Sequence, residues 1–182
     1  MSTSTKWRID NSHSGFYFSV RHMVVSKVRG RFTRYCGTVH LDDDLAKSRV
    51  EVVVDATSID TGAVDRDAHL RSADFLDAEK FPSLLFRSTR VEPVGNGHFW
   101  LVGDLTIRGV TREVVLEATY GGRGTDPRGS ERVGFEAKGH IDRKDFGLTW
   151  NQALQVGGVL VGERVDLEVE VLLVKAIREK AA

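Results

Sequence analysis

The sequence predicts an all-β fold: an antiparallel sheet closed into an eight-stranded barrel, with one short helical insertion at about 61–77. Three observations carry this. Most of the 182 residues alternate apolar and polar with period 2, the mark of strands with one wet and one dry face. Turn-forming residues interrupt the runs at short intervals. Only one stretch keeps convincing helical spacing, so the alternating strand–helix order of a parallel sheet is missing. Closure removes exposed sheet edges. Eight strands enclose an interior that side chains fill, or that holds one small ligand. A two-sheet sandwich has the same periodicity and is the structural alternative.

The strands follow in order. Phe16, Phe18 and Val20 share one face; Tyr17, Ser19 and Arg21 share the other. Val50, Val52, Val54 and Ala56 alternate with Glu51, Val53 and Asp55. Phe99, Leu101, Gly103, Leu105 and Ile107 oppose His98, Trp100, Val102, Asp104 and Thr106. Val114, Leu116, Ala118 and Tyr120 oppose Glu113, Val115, Glu117 and Thr119. Val133, Phe135, Ala137 and Ile141 oppose Arg132, Glu136, Lys138 and His140. Val165, Leu167, Val169, Val171 and Leu173 oppose Asp166, Glu168 and Glu170. Less regular alternation predicts strands at 31–41 and 84–94.

Asp42-Asp43-Asp44 marks a turn. Gly95-Asn96-Gly97 is a hairpin signal, because Asn and Gly tolerate positive φ. Arg108-Gly109-Val110 is a tight link. Gly121 to Ser130 is predicted as a polar hairpin loop, glycine-rich but without the lysine of a phosphate-binding loop. From Thr61 to Asp77 the spacing is helical, with Thr61 as cap, Asp65 and Asp67 in the dipole-favoured first turn, and Arg71 four residues after Asp67. A second short helix is predicted at 22–28.

Composition narrows the function classes. Lys+Arg and Asp+Glu are both 26, so the formal net charge is zero. Neither the basic footprint of a nucleic-acid binder nor the acidic excess of a disordered chain is present. Cys36 is the single cysteine, so no intrachain disulfide forms. The first residues, Met1 to Lys6, are polar and carry no apolar signal region, which predicts a cytoplasmic chain. No stretch approaches the ~18 apolar residues of a membrane-spanning helix.

Several blocks then come together: Trp7-Arg8-Ile9-Asp10 with His13-Ser14; Phe18-Ser19-Val20-Arg21-His22-Met23; Val28-Arg29-Gly30-Arg31-Phe32; Arg66-Asp67-Ala68-His69-Leu70 with Asp74-Phe75; Phe81-Pro82 before Phe86; Gly103 to Thr111; and Arg143-Lys144-Asp145-Phe146-Gly147. Their order and spacing over about 140 residues resemble the YceI-like family of lipocalin-like polyisoprenoid-binding proteins. The resemblance implies a single lipocalin-like barrel domain over 1–182 and a long internal channel. The implied ligand is a polyisoprenoid, an isoprenoid quinone, or a fatty acid or its amide. Family members are bacterial, often dimeric, and many work in the periplasm, so a homodimer is implied while the leaderless start departs from the pattern.

The physical case for such a ligand is separate. Burying one methylene is worth about 0.8 kcal/mol, so a tail of ~20 carbons gains roughly 16 kcal/mol before ordering and association are subtracted. The candidate channel wall is Phe16, Phe18, Val20, Val52, Val54, Phe99, Leu101, Leu116, Phe135 and Val169; alternatively these fill a solid core. The candidate head-group contacts are His22, Arg66, Asp67 and His69, with Arg the natural partner of phosphate or carboxylate. Their plainer role is structural, with Asp67 paired to Arg71 and Arg66 tying the helix to a strand.

No catalytic set is expected. Asp65 and His69 have a two-ligand spacing, but there is no His-Glu-x-x-His and no cysteine pair, so neither metal nor cofactor is expected. Asp145-Phe146-Gly147 lacks the companion motifs of a kinase and is expected to end a strand, with Arg143 and Asp145 paired. Cys36 and His13-Ser14 have no base at fixed spacing. The alternative functions are a small enzyme using an acid–base pair among Asp67, His69 and His22, and a stress-related protein whose barrel is a scaffold.

Overall fold

The computed structural model describes residues 4–176. The described residues form eleven strands: β1 (Thr5–Ile9), β2 (Gly15–His22), β3 (Ser26–Phe32), β4 (Tyr35–Leu41), β5 (Arg49–Asp55), β6 (Ile59–Asp60), β7 (Ser83–Gly95), β8 (His98–Ile107), β9 (Val110–Thr125), β10 (Glu131–Asp142) and β11 (Val161–Lys175). Eight of them close a ring in the order β1-β4-β5-β7-β8-β9-β10-β11, with β11 returning to β1, and every pairing is antiparallel. This is the predicted closed eight-stranded barrel, not a sandwich.

The seam is β11. One edge of it pairs with β10 throughout. The other edge pairs with β1 near Leu173 and with β2 from Val165 to Glu170. β2, β3 and the short β6 therefore hang from the barrel as a lateral flap. Register matches the predicted alternation. Phe135 faces Val171 and Ala137 faces Val169 across β10–β11, while Leu101 faces Leu116 across β8–β9. Apolar side chains thus collect on the inner face, where their burial drives closure.

Local differences from the predicted elements have identifiable causes. Residues 22–28 form no helix. β2 runs to His22 and turns through Met23 and Val24, both at positive φ (51° and 65°), into β3. Cross-strand pairing of Val20 with Val28 and Arg21 with Lys27 outweighs local spacing there. The polar loop predicted at 121–130 contracts to 126–130, because β9 continues through its glycines to Thr125 opposite Glu131. Arg108 and Gly109, at φ 50° and 73°, make the two-residue turn between β8 and β9, a geometry matched to strand twist.

The helical insertion is shorter than 61–77. α1 covers Val64–Arg71 and the chain then proceeds through turns to Lys80. Thr61 does not cap it; the cap residue is Ala63, without a side-chain bond. Asp67 does not pair with Arg71. It is buried and its Oδ1 accepts from the Thr61 backbone N–H (2.9 Å) and hydroxyl (2.5 Å). Arg143 does not pair with Asp145 either. It is buried, and its guanidinium donates to the carbonyls of Leu148 (2.7 Å), Trp150 (2.9 Å), Gly162 (2.8 Å) and Val161 (3.2 Å).

Candidate functional site: an apolar tube through the barrel

The inner face does not close to a solid core. A cavity of about 200 Å³ runs between the strands, with a wall that is almost wholly apolar. It reaches from Leu41 and Leu45 at one end to Ile107 and Ile141 at the other. Along β8 the wall extends from Phe99 to Ile107, roughly 26 Å of strand at ~3.3 Å per residue. With an ordinary barrel tilt that is about 20 Å along the axis. So small a volume over that length makes a tube about one chain wide.

Packed clusters flank the tube towards both ends. Ala56, Ile59, Leu76, Ile107, Phe146 and Leu148 form a cluster at the end nearer α1. Trp7, Val39, Val133 and Leu173 form another at the opposite end. Beyond that second cluster lies a more polar vestibule of about 420 Å³. It shares Leu41, Leu45 and Phe135 with the tube, and adds Trp7, His98, Tyr120 and Arg123. Arg123 lies over the Trp7 ring, 5.4 Å from its centroid, in cation–π contact. The Trp7 indole N–H is buried and has no hydrogen-bond partner among the described residues.

Nine of the ten candidate wall residues line the tube: Phe16, Phe18, Val52, Val54, Phe99, Leu101, Leu116, Phe135 and Val169. Val20 does not; it sits where the flap passes beyond the cavity and pairs with Val28 and Val165. Sequence alternation missed Phe32, Leu45, Leu84 and Phe86, which also line it. Leu84 and Phe86 lie on β7, whose period is broken by a bulge between Ser88 and Arg90. Phe32 stands at the start of the 31–41 stretch, where alternation is weak, and Leu45 sits on a 3-10 turn capped by Asp44. Only the pairing partners of these strands reveal the inner face.

His22, Arg66, Asp67 and His69 do not line the tube. Arg66 Nε and Nη2 donate to the Thr61 hydroxyl (2.7 Å) and carbonyl (3.0 Å). His69 Nε2 lies 2.8 Å from Asp74 Oδ2, with its ring edge-on to Phe75 and Trp150 at 5.0 and 4.6 Å. Arg66 and Asp67 meet at Thr61, while His69 belongs to a separate aromatic cluster. The acid–base pairing imagined among Asp67, His69 and His22 is therefore not assembled on the cavity. Among the described residues no group of three or more His, Cys, Asp or Glu side chains is placed to hold a metal ion.

The charged groups that carry shifted ionisation lie outside the lumen. Asp10 is held well below the usual carboxylate range, first by the Ser12 hydroxyl, then by His13 and Arg132, against an opposing effect of burial. Arg132 bridges Asp10 and Asp126. Burial pushes the Arg143 guanidinium down from its ordinary value. Of the described residues around the tube, Tyr17, Ser48 and Glu136 carry polar side chains.

The family model of the YceI-like domain matches residues 7–173. A UPF0312 protein of Vibrio campbellii is 42% identical over 136 residues, covering 74% of this chain and 72% of that protein. The crystal structure of the Campylobacter jejuni YCEI protein superposes with a TM-score of 0.75 at 30% identity, covering 86% of this chain and 90% of the other. A polyisoprenoid binding domain from Saccharophagus degradans, implicated in plant cell wall breakdown, gives a TM-score of 0.73 at 14% identity over 93% and 98% of the two chains.

Proposed function

Because the chain belongs to the YceI-like family, we propose that its barrel binds, stores or carries a long apolar ligand in the lumen without transforming it. The observation that carries this is the apolar tube bounded by Phe18, Leu101, Phe135 and Val169. A cavity of about 200 Å³ lies below the ~300 Å³ at which compact ligand pockets begin. A narrow volume of this kind suits a single extended chain in the lumen better than a bulky guest. The ligand class is a polyisoprenoid, an isoprenoid quinone, or a fatty acid or amide. The polyisoprenoid binding domain among the structural neighbours supports the first of these.

The energetics agree with a wall so poor in polar groups. Each methylene taken from water contributes about 0.8 kcal/mol, so a chain threading the tube needs no hydrogen bond to be held. Specificity then rests on width and length. The test is solvent extraction of the purified protein followed by mass spectrometry. A long-chain lipid in near-stoichiometric amount is expected. A clean protein that also fails to take up polyprenol, quinone or fatty acid overturns the proposal.

A further inference from the structure

The flap and the loop beside it carry a surface that the lumen does not explain. The β2–β3 turn exposes Met23, Val24 and Val25, at 48%, 62% and 86% accessibility. Next to it, the loop between β10 and β11 exposes Val156 at 95% and Val159 at 44%. The two are joined. The Met23 N–H donates to the Leu160 carbonyl at 2.9 Å. Val24 lies against Gly158, where an added β-carbon would sit 3.6 Å from Cγ2. Five aliphatic side chains are thus held out together in water, an arrangement that marks an interaction site.

The backbone reinforces this. Val24 has φ 65°, which a β-branched residue adopts only under constraint. The turn holds valine in a conformation suited to glycine or asparagine, with its side chain displayed. The loop is fixed from inside by the four Arg143 hydrogen bonds to Leu148, Trp150, Val161 and Gly162. Its apolar tip is held up by a built support.

Charge tells what the tip meets. Residues 146–162 contain no Asp, Glu, Lys or Arg. Residues 11–41 contain no Asp or Glu but hold Arg21, Lys27, Arg29, Arg31 and Arg34. Arg31 and Arg34 are paired with Asp60 and Asp55, and Lys27 lies 3.6 Å from Asp166. Arg21 and Arg29 make no ion pair among the described residues and take outward positions of the same hairpin: Arg21 stands at the tip, its Nη1 3.5 Å from the Val24 carbonyl, and Arg29 lower down, in a groove that also holds Asp166 and Glu168. An apolar tip with an unpaired arginine at its base and a second behind it is complementary to a bilayer bearing anionic head groups. The same hairpin supplies Phe16, Phe18 and Phe32 to the tube wall.

We propose that the joined tip of Met23, Val24, Val25, Val156 and Val159, with Arg21 at its base and Arg29 behind it, docks the protein on an anionic lipid surface. The docking puts the flap that walls the tube against the membrane where an apolar cargo resides. This rests on the lumen reading only for its purpose; the docking itself stands on the surface.

The experiment is co-sedimentation of the full chain with vesicles of phosphatidylcholine containing phosphatidylglycerol, and with pure phosphatidylcholine. Binding to the anionic vesicles is expected, weakening with added salt. The double variant Val25→Asp/Val156→Asp, both at open positions, is expected to bind about tenfold less, and Arg21→Glu/Arg29→Glu to lose the anionic preference. Lipid content of each variant by mass spectrometry separates the two proposals. Lost docking with cargo retained supports the tip. An empty lumen with docking intact supports the tip too, and overturns only the proposed function. Absent binding by the native chain, equal binding by the Val25/Val156 variant, or self-association through this face in place of vesicle binding overturns the docking proposal.

Discussion

Phe18 lies across Gly30, its cross-strand partner on β3: a β-carbon at position 30 would sit 2.3 Å from the ring Cζ. The absent side chain is what lets the ring fold flat against the flap and leave the lumen open. Gly30→Ala should drive the ring into the tube. Expected outcomes are a loss of about 1–3 kcal/mol in denaturant unfolding from overpacking and a reduced lipid load. Unchanged stability and load would mean the ring moves elsewhere.

Filling the tube directly separates ligand binding from folding. Val169 lines the lumen opposite Ala137 and beside Phe16. Val169→Phe places its added atoms in existing space, so stability should change by no more than about 1.5 kcal/mol. Extracted lipid should fall about tenfold. A full load in this variant would put the ligand outside the tube.

Arg143 holds the β10–β11 loop through four carbonyls. Lysine keeps the charge but not the planar fork. Arg143→Lys should cost about 2–4 kcal/mol, since buried carbonyls lose charged donors. The measurable sign is faster proteolysis within 148–162 under native conditions.

Val24→Gly should stabilise the protein by about 0.5–1 kcal/mol. Relief of a left-handed valine is worth roughly 1–2 kcal/mol, and the extra freedom of glycine in the unfolded chain offsets part of it. A rise in Tm accompanied by weaker vesicle binding would show strain kept for use.

Acid should destabilise the fold through Asp10. Its carboxylate pKa is depressed in the native state by Ser12, His13 and Arg132. The unfolded chain therefore binds its proton first as pH falls. The contribution is fully present above the ordinary carboxylate range, ~4, and is lost on titrating downward through it and beyond. Asp10→Asn should start about 1–3 kcal/mol less stable and show a shallower loss between pH 5 and ~2 in urea titrations. An identical slope would remove Asp10 from the acid response.

The sequence by itself determined the family, most of the long strands and the inner faces of the regularly alternating ones. Period-2 alternation is a local property, and a residue such as Leu101 or Val169 declares its side regardless of what it meets. The short turn at Arg108-Gly109 was equally legible, because positive φ selects residue type. Tertiary structure alone decided the rest. Whether Val24 sits within a helix or tops a hairpin depended on β3 being available to pair with β2. Whether Arg66 and Asp67 met a ligand or Thr61 depended on where α1 came to rest. Above all, whether the inner faces interlock or stand apart is set by strand number and tilt around a closed ring, a distance between residues far apart in the chain that no local pattern encodes.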